Sequence, residues 1–161
     1  MILPMLVVNL GIMAETVTFP HVSELDISTA DKTVSYQVEE AVSFAQKAQG
    51  LMYRKHMDEK KGMVFYSNPA KPAAMWMKNT YISLDMLFAD DKGEIVCITE
   101  NTEPLSLEII NCPQDVALTL ELNAGEVKKY GIKKGDIIKH HLLRNKLQNT
   151  EDYPPKTDEN K

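Results

Sequence analysis

Short apolar runs, each interrupted by a charged or polar residue, fill residues 50–88 and constrain the fold more than any other feature. The segment holds Trp76, the one tryptophan of the chain, and six of its nine methionines. The runs are strand-like, and Asp85 stands inside one of them. A carboxylate in such a run is costly to bury unless it is paired or used. The segment therefore indicates both a β-rich core and the place to look for a functional site.

The length and charge of the chain exclude several classes of protein. A chain of 161 residues is enough for one domain with a sizeable core. Its formal net charge of -5, without a basic stripe, argues against broad nucleic-acid binding. No stretch has the ~20 apolar residues that a membrane-spanning helix needs. The sequence indicates no cofactor.

Alternating and helical patterns predict several short strands and one or two short helices. A strand is predicted at residues 34–38, and Ser43 with Gln46 forms a capping box for a helix from Phe44 to about Arg54. Gly50 inside that helix would let another backbone come close. Further strands are predicted at residues 63–66, 75–79, 84–89, 94–99, 116–122 and 137–143, a helix at 124–130, and loops at 67–74 and 101–114. The strands at 75–99 read as an antiparallel meander, and the whole favours an α+β, β-rich single domain with a curled or barrel-like, mixed or antiparallel sheet.

The two ends of the chain differ in composition from its centre. Residues 1–14 are apolar and uncharged, and they resemble a secretory signal peptide that lacks its positive start; a buried strand is the alternative. We interpret residues 15–33 as an N-terminal extension with a short strand at 17–19, residues 34–143 as the globular domain, and residues 144–161 as a disordered polar tail. The corresponding expectation is an exported protein, periplasmic or extracellular.

The two cysteines, Cys97 and Cys112, allow either a disulfide or two separate thiols. In an exported protein they could pair, and the short loop between them would then contribute about 3 kcal/mol of stability. Cys97 falls in a predicted strand and Cys112 in a predicted loop. Because the geometry of pairing cannot be read from the sequence, two separate thiols are the favoured interpretation.

Six residues with aromatic, cationic, amide and acidic side chains define a candidate ligand site. Alternation puts Trp76 and Lys78 on one face of the predicted strand 75–79. An aromatic platform surrounded by charged and amide groups suits sugars or other small polar ligands. Trp76 would stack on the ligand, the cations would hold an anionic or hydroxyl-rich group, and the carboxylates would orient them. The sequence therefore predicts a binding or accessory module, more readily than an enzyme, with its cleft built from Arg54, Trp76, Lys78, Asn79, Asp85 and Glu121.

Two other interpretations of the same charged residues stay open. In the first, Arg54 or Lys78 neutralises Asp85 in a purely structural network. In the second, Asp85 and Glu121 act as general acid and base, and the protein is a hydrolase of the glycoside-cleaving kind. No protein partner can be named from the sequence.

The methionines permit a metal hypothesis. Thioethers are soft ligands that select Cu(I). Met75 and Met77 share one face of the predicted strand, and Met52, Met63 or Met86 could complete a trigonal site. The alternative is that these side chains simply fill an irregular core, which is the commoner use of methionine.

The histidines give this metal hypothesis no support. His140 and His141 are neighbours on a predicted strand, where adjacent side chains point to opposite faces. His56 falls in a predicted loop.

Six short motifs, taken in order, resemble the family known as domain of unknown function 192. The resemblance covers about residues 34–141 and implies a compact, β-rich α+β domain, with many bacterial members that look exported. It implies no established reaction, substrate or cofactor. One departure is Ala74-Met75, where the family often has an aromatic or small residue before the tryptophan. The motifs lie at residues 50–54, 62–65, 76–80, 84–88, 120–125 and 131–136.

Overall fold

This computed structural model describes residues 16–143, which form seven strands and two helices. The predicted signal segment 1–14 and polar tail 144–161 lie outside the described residues. A further helical turn begins at His141. Within residues 16–143, none of the helices has the length and apolarity to cross a bilayer. The elements are β1 (Val22–Ser28), β2 (Thr33–Ala41), α1 (Phe44–Gln49), β3 (Lys61–Met75), β4 (Leu84–Ala89), β5 (Ile95–Thr99), β6 (Ile110–Asn123), α2 (Glu126–Tyr130) and β7 (Ile137–Lys139).

The strands form one curled, mixed sheet in the order β5-β4-β6-β3-β2-β1-β7. Only the β2–β3 pair is parallel among the strand pairs of the described chain. The two edges of the sheet approach each other, because Glu94 next to β5 forms an antiparallel bridge with Ile137 of β7. The predicted β-rich α+β fold with a curled or barrel-like sheet is therefore confirmed.

Both faces of this sheet are covered. On one face lies the leucine-rich core, which includes Val38, Leu87, Leu118, Leu120 and Leu122. On the other lies the methionine-rich core, which includes Met57, Met63, Met77, Met86 and Phe88. Successive residues of a strand point to opposite faces, so every residue of β4 is buried in one core or the other.

The N-terminal part of the sheet departs from the prediction. The strand expected at residues 17–19 is wrong, since the chain there has no regular structure. Instead β1 forms at Val22–Ser28 and pairs with both β2 and β7. The apolar alternation of β1 is weak, because only Leu25 and Ile27 are fully buried. Pairing with β2 and β7, and not local composition, stabilises the strand.

Helix α1 has the predicted capping box but ends one turn early. Ser43 accepts a hydrogen bond from the backbone of Gln46, whose side chain accepts one from the backbone of Ser43. Gly50 then takes a positive φ of 51° and terminates the helix, as glycine does at little cost. A Cβ on Gly50 would also lie 3.2 Å from the ring of Phe65. The close neighbour is thus a side chain, and the predicted extension of the helix to Arg54 is wrong.

The loop predicted at residues 67–74 is wrong, because all of it is strand, and the loop predicted at 101–114 is strand in its last part. Strand β3 continues through Pro69 and Pro72 to Met75, and β6 already begins at Ile110. Prolines cannot donate to a ladder and are confined in sheets to edges and irregular positions. The β3–β6 register shifts on both sides of Lys71, and these irregularities accommodate the prolines.

The strand predicted at residues 75–79 is wrong, and with it the three-stranded meander. Strand β3 ends at Met75, and residues 77–80 form a turn in which the Thr80 N–H donates to the Met77 carbonyl. Asn79 has a φ of 55°, a conformation that asparagine tolerates better than most residues. Strand β4 pairs with β5, as predicted, but its other neighbour is β6.

Cys97 of β5 and Cys112 of β6 form a disulfide, which corrects the expectation of two separate thiols. Their Cα atoms are 6.0 Å apart. Cys112 lies in strand β6, packed in the methionine-rich core, and not in the predicted loop, and this placement provides the geometry that the sequence could not show.

The last strand is also shorter than predicted. Strand β7 ends at Lys139, and the chain turns into a helical segment at His141. His140 and His141 therefore do not point to opposite faces of a strand. Their ring centroids lie 4.5 Å apart.

Candidate functional site

A small pocket opens between the end of α1, the end of β3 and the turn that follows Met75. Its volume is about 110 Å³. Residues 47–52 form one wall, and Phe65 and the end of β3 form another. The full lining is Lys47, Ala48, Gln49, Gly50, Leu51, Met52, Phe65, Ala74, Met75, Trp76, Thr80 and Glu121. Of the six predicted site residues, this pocket brings together Trp76 and Glu121.

Glu121 reaches the pocket from the centre of the sheet. It pairs with Met63 of β3 on one side and Met86 of β4 on the other, so its side chain lies on the face of the methionine-rich core. Gly62 keeps β3 close to β6 here, because a Cβ on Gly62 would lie 2.7 Å from the carbonyl oxygen of Glu121. The sequence motif around Gly62 therefore serves to seat Glu121.

The carboxyl group of Glu121 is held in an apolar environment. Only 4% of the residue is exposed, and burial raises its pKa to about 8, although the Arg54 charge acts in the opposite direction. None of the residues 16–143 donates a hydrogen bond to this carboxyl group. Burial disfavours the ionised form, so Glu121 is mainly a neutral acid with a hydrogen to donate at pH 7.

Arg54 is committed to a different carboxylate. Its guanidinium donates to both oxygens of Glu39 at 2.7 and 2.5 Å, and this pairing raises the pKa of Arg54 despite burial. It also lies 5.3 Å from the ring centroid of Phe19. Glu39 was not among the predicted site residues. Its contact with Arg54 depends on the path of the loop after α1, which no local pattern shows. The charge of Arg54 thus acts on Glu121, but Arg54 does not line the pocket.

Trp76 lies at the mouth of the pocket with 44% of its surface exposed. The ammonium nitrogen of Lys78 is 5.0 Å from the centroid of its ring, within the range of a cation–π contact. The two residues were predicted to lie on one face of a strand. They are indeed in contact, but they lie in the turn after β3 and not in a strand. An exposed indole with one face covered by a cation still offers an apolar surface for a ligand.

Asn79 has a structural role next to the pocket. Its side-chain amide donates to the hydroxyl of Tyr53 at 3.0 Å, and its carbonyl accepts from the Tyr53 N–H at 2.8 Å. These bonds hold the loop after α1 against the turn after β3. Asn79 therefore shapes the wall of the pocket without lining it.

Asp85 lies on the opposite face of the sheet from Glu121. It pairs with Leu122, one residue further along β6, and is fully buried at 0% exposure. Its two oxygens accept from the backbone N–H groups of Asn101 and Val127, each at 2.9 Å. Asp85 thus ties α2 and the loop after β5 to the sheet. The arrangement provides no acid–base pair with Glu121, so it gives the hydrolase hypothesis no support.

The methionines divide between the pocket and the core. Met52 and Met75 line the pocket, whereas Met63, Met77 and Met86 are at most 1% exposed inside the methionine-rich core. That placement accords with the core-filling role of methionine. The Cu(I) hypothesis stays a prediction.

Three pocket residues were not among the predicted site residues. Leu51 falls in the predicted helix, Phe65 in the predicted strand 63–66 and Thr80 outside the predicted elements, yet all three line the pocket. The signal that could have identified them is Gly50, because a glycine at the end of a short helix predicts a reversal of the chain. Asn79 and Thr80, in a motif without regular periodicity, would then have indicated a second turn.

The fold and the pocket together define a β-rich α+β domain with a barrel-like sheet and a small surface pocket above a buried acid. The chain belongs to the DUF192 family, described as "Uncharacterized ACR", whose model matches residues 26–140. The resemblance in the sequence motifs is therefore confirmed.

Two solved structures are similar to this chain. One is a Sinorhizobium meliloti 1021 protein described as a candidate transcription regulator, with 43% identity and a TM-score of 0.74; the match covers 78% of this chain and 97% of that one. The other is a protein of unknown function from Novosphingobium aromaticivorans DSM 12444, with 28% identity and a TM-score of 0.72; the match covers 74% and 85% of the two chains. No curated protein matches the sequence.

Proposed function

We propose that this domain is a binding module for a small, neutral, polar ligand, which it holds between Trp76 and Glu121. The observation that carries the proposal is the carboxyl group of Glu121, which lines the pocket although only 4% of the residue is exposed. Its oxygens are open to the pocket, since Ser28 Oγ is the one enclosed side-chain polar atom without a partner among the described residues. A polar group that packing holds in this position can hydrogen-bond a ligand that enters the pocket.

The chemistry of the pocket selects the ligand class. Because the pKa of Glu121 is raised to about 8, its protonated carboxyl can donate to a hydroxyl or carbonyl oxygen at neutral pH. Trp76 offers an apolar face, as sugar rings and amides require. The volume of about 110 Å³ is below the ~300–1,000 Å³ of pockets for drug-sized ligands. The ligand is therefore one small ring or amide, or the terminal unit of a longer molecule.

Export of the domain is part of the same proposal. The apolar segment 1–14 resembles a secretory signal peptide, and disulfides such as Cys97–Cys112 persist mainly in oxidising compartments. We do not extend the description of the Sinorhizobium relative to this chain, because the net charge of -5 disfavours contact with nucleic-acid phosphates.

The test is ligand binding measured by Trp76 fluorescence and by calorimetry, with glucose, N-acetylglucosamine and acetamide as neutral probes and acetate as an anionic one. We expect saturable binding of a neutral probe. Its affinity should fall as the pH rises through about 8, because ionised Glu121 can no longer donate. Glu121→Gln keeps a neutral donor at the same place and should remove this pH dependence.

The matched control for the stacking surface is Tyr81, an aromatic residue outside the pocket lining with 45% exposure. Trp76→Ala should abolish the calorimetric signal, whereas Tyr81→Ala should retain it. Failure of every neutral probe to bind the folded protein would overturn the proposal. Equal losses in the two variants would also overturn it.

A further inference from the structure

A second group of polar side chains lies away from the pocket, where β2, β1 and β7 run side by side. Glu40 of β2, His140 and His141 each present one ligand atom, and these three atoms lie within 4.8 Å of one another. Glu40 shares its face with Val38 of the leucine-rich core, whereas Glu39, one residue earlier, pairs with Arg54 on the side of the pocket. The group is therefore separate from the proposed ligand site.

We propose that Glu40, His140 and His141 form a site for a divalent transition-metal ion of the Zn²⁺ type. Two imidazoles and one carboxylate are a known ligand set for zinc, which binds nitrogen and oxygen at about 2.0–2.2 Å. Tetrahedral ligands at those distances are separated from one another by about 3.4 Å. The Nε2 atom of His140 lies 3.7 Å from Oε1 of Glu40, close to that separation.

The convergence of these ligands is produced by elements far apart in sequence. Glu40 and His141 are 101 residues apart, yet Nε2 of His141 is within hydrogen-bond distance of Oε1 of Glu40. Ser23 of β1 lies between Glu40 and His140, and its hydroxyl donates to Oε1 of Glu40 at 2.5 Å and contacts Nε2 of His140 at 2.8 Å. Ser23 thus holds these two side chains together, and its hydrogen bonds to the two ligand atoms would give way to the ion when it binds.

Burial and access also suit an ion. The side chains of His140 and Glu40 are 0% and 8% exposed, whereas that of His141 is 50% exposed. Two ligands are thus fixed by packing, and the third lies on the path by which an ion enters. Three protein ligands leave one position of a tetrahedral ion for water or an outside ligand.

The sequence has few other histidine or cysteine ligands for zinc. It has four histidines, and the other two, His21 and His56, are exposed and outside the cluster. Both cysteines are joined in the Cys97–Cys112 disulfide and offer no thiolate. Binding of one Zn²⁺ per chain can therefore be assigned by mutation of single residues.

The test is a calorimetric titration of the full chain with ZnCl₂, using protein without a polyhistidine tag, stripped of metal and kept free of reductant. We expect one Zn²⁺ per chain. His141→Ala and Glu40→Gln should each weaken binding at least ~10-fold, since each removes a ligand. His56→Ala, which removes an exposed histidine bonded to Asp58, should leave the affinity unchanged.

His141→Ala is the decisive variant because a half-exposed side chain can be removed without loss of the core. Circular dichroism should show both cluster variants folded, and Co²⁺ should give tetrahedral d–d absorption bands in the unmodified protein but not in His141→Ala. The proposal is overturned if no saturable Zn²⁺ binding occurs, if His141→Ala binds as tightly as the unmodified chain, or if His56→Ala loses as much affinity. It does not depend on the pocket at Trp76, so the two proposals succeed or fail separately.

Discussion

Asp85 and Glu121 are buried carboxyl groups on neighbouring strands, and they differ in almost everything except burial. Asp85 faces the leucine-rich core and accepts two backbone hydrogen bonds of 2.9 Å. Glu121 faces the methionine-rich core, has its pKa raised to about 8, and accepts no hydrogen bond from residues 16–143. The same pattern in sequence, an acid inside an apolar strand, therefore marks a structural tie on one face and a candidate binding group on the other.

The difference arises from what covers each face. On the face of Asp85, the N-terminal turn of α2 and the loop after β5 bring N–H groups to the carboxylate. On the face of Glu121, apolar side chains cover the sheet, and the pocket opens next to the carboxyl group. A buried acid is kept where it is satisfied or where it is used. Asp85 is an instance of the first, and we propose that Glu121 is an instance of the second.

The largest expected loss of stability comes from removing Asp85, the structural member of the pair. Asp85→Ala leaves two backbone N–H groups without an acceptor and creates a small cavity, so we expect the free energy of unfolding to fall by about 3–5 kcal/mol. Urea denaturation measures the change. Asp115→Ala, on the exposed part of β6, should change stability by less than about 0.5 kcal/mol. A loss for Asp85→Ala as small as that of this control would show that Asp85 is not a structural tie.

An intermediate loss of stability is expected when the disulfide on the face of Glu121 is removed. Cys97 and Cys112 are 15 residues apart, and a loop of this size contributes about 3 kcal/mol in the chain-entropy model. Reduction of the disulfide should lower the free energy of unfolding by about that amount. The double variant Cys97→Ser/Cys112→Ser should be equally destabilised and insensitive to reductant. Equal stability of the oxidised and reduced chains would contradict the prediction.

Measured over one pH unit, the smallest effect is a pH dependence that belongs to Glu121 alone. In the unfolded chain Glu121 ionises near its ordinary pKa of 4.5, whereas in the folded protein it keeps its proton up to about pH 8. Between these values the folded state binds the extra proton, so the free energy of unfolding falls as the pH rises, by at most about 1.4 kcal/mol per pH unit. Below pH 4.5 both states are protonated and the penalty is absent.

Comparison with Glu121→Gln isolates this contribution from the other titrating groups. We expect the stability of the unmodified protein relative to Glu121→Gln to decline between about pH 4.5 and pH 8 and then to level off. Urea denaturation at a series of pH values measures the difference. A constant difference across this range would mean that Glu121 is ionised in the folded state, and the contrast with Asp85 would disappear.

Local interactions account for the parts of the fold that were predicted. Strand β2 has its alternating Val34, Tyr36 and Val38 buried, and the capping box at Ser43 and Gln46 is present as expected. These signals depend on residues at most four positions apart. The continuation of β3 through two prolines, the early start of β6 and the pairing of β1 with β7 depend on partner strands distant in the chain. No local pattern indicates them.

The same division holds for the candidate sites. That Asp85 and Glu121 would be buried followed from the apolar residues on either side of them. The sequence also indicated the end of the second helix before Gly131, which adopts a positive φ, whereas Gly50 was predicted inside a helix and in fact ends it. Which face each acid occupies, and what lies against it, depended on the register of β4 against β6 and on the placement of α2.

Only the tertiary structure decided that Cys97 meets Cys112, that Arg54 meets Glu39, and that Glu40 meets two histidines from the other end of the chain. The physical reason is that periodicity reports whether a side chain is buried, because burial depends on local alternation. It does not report the partner, because the partner is chosen by strand pairing over long sequence separations. Burial of the charged groups was thus determined by the sequence, and their chemistry by the fold.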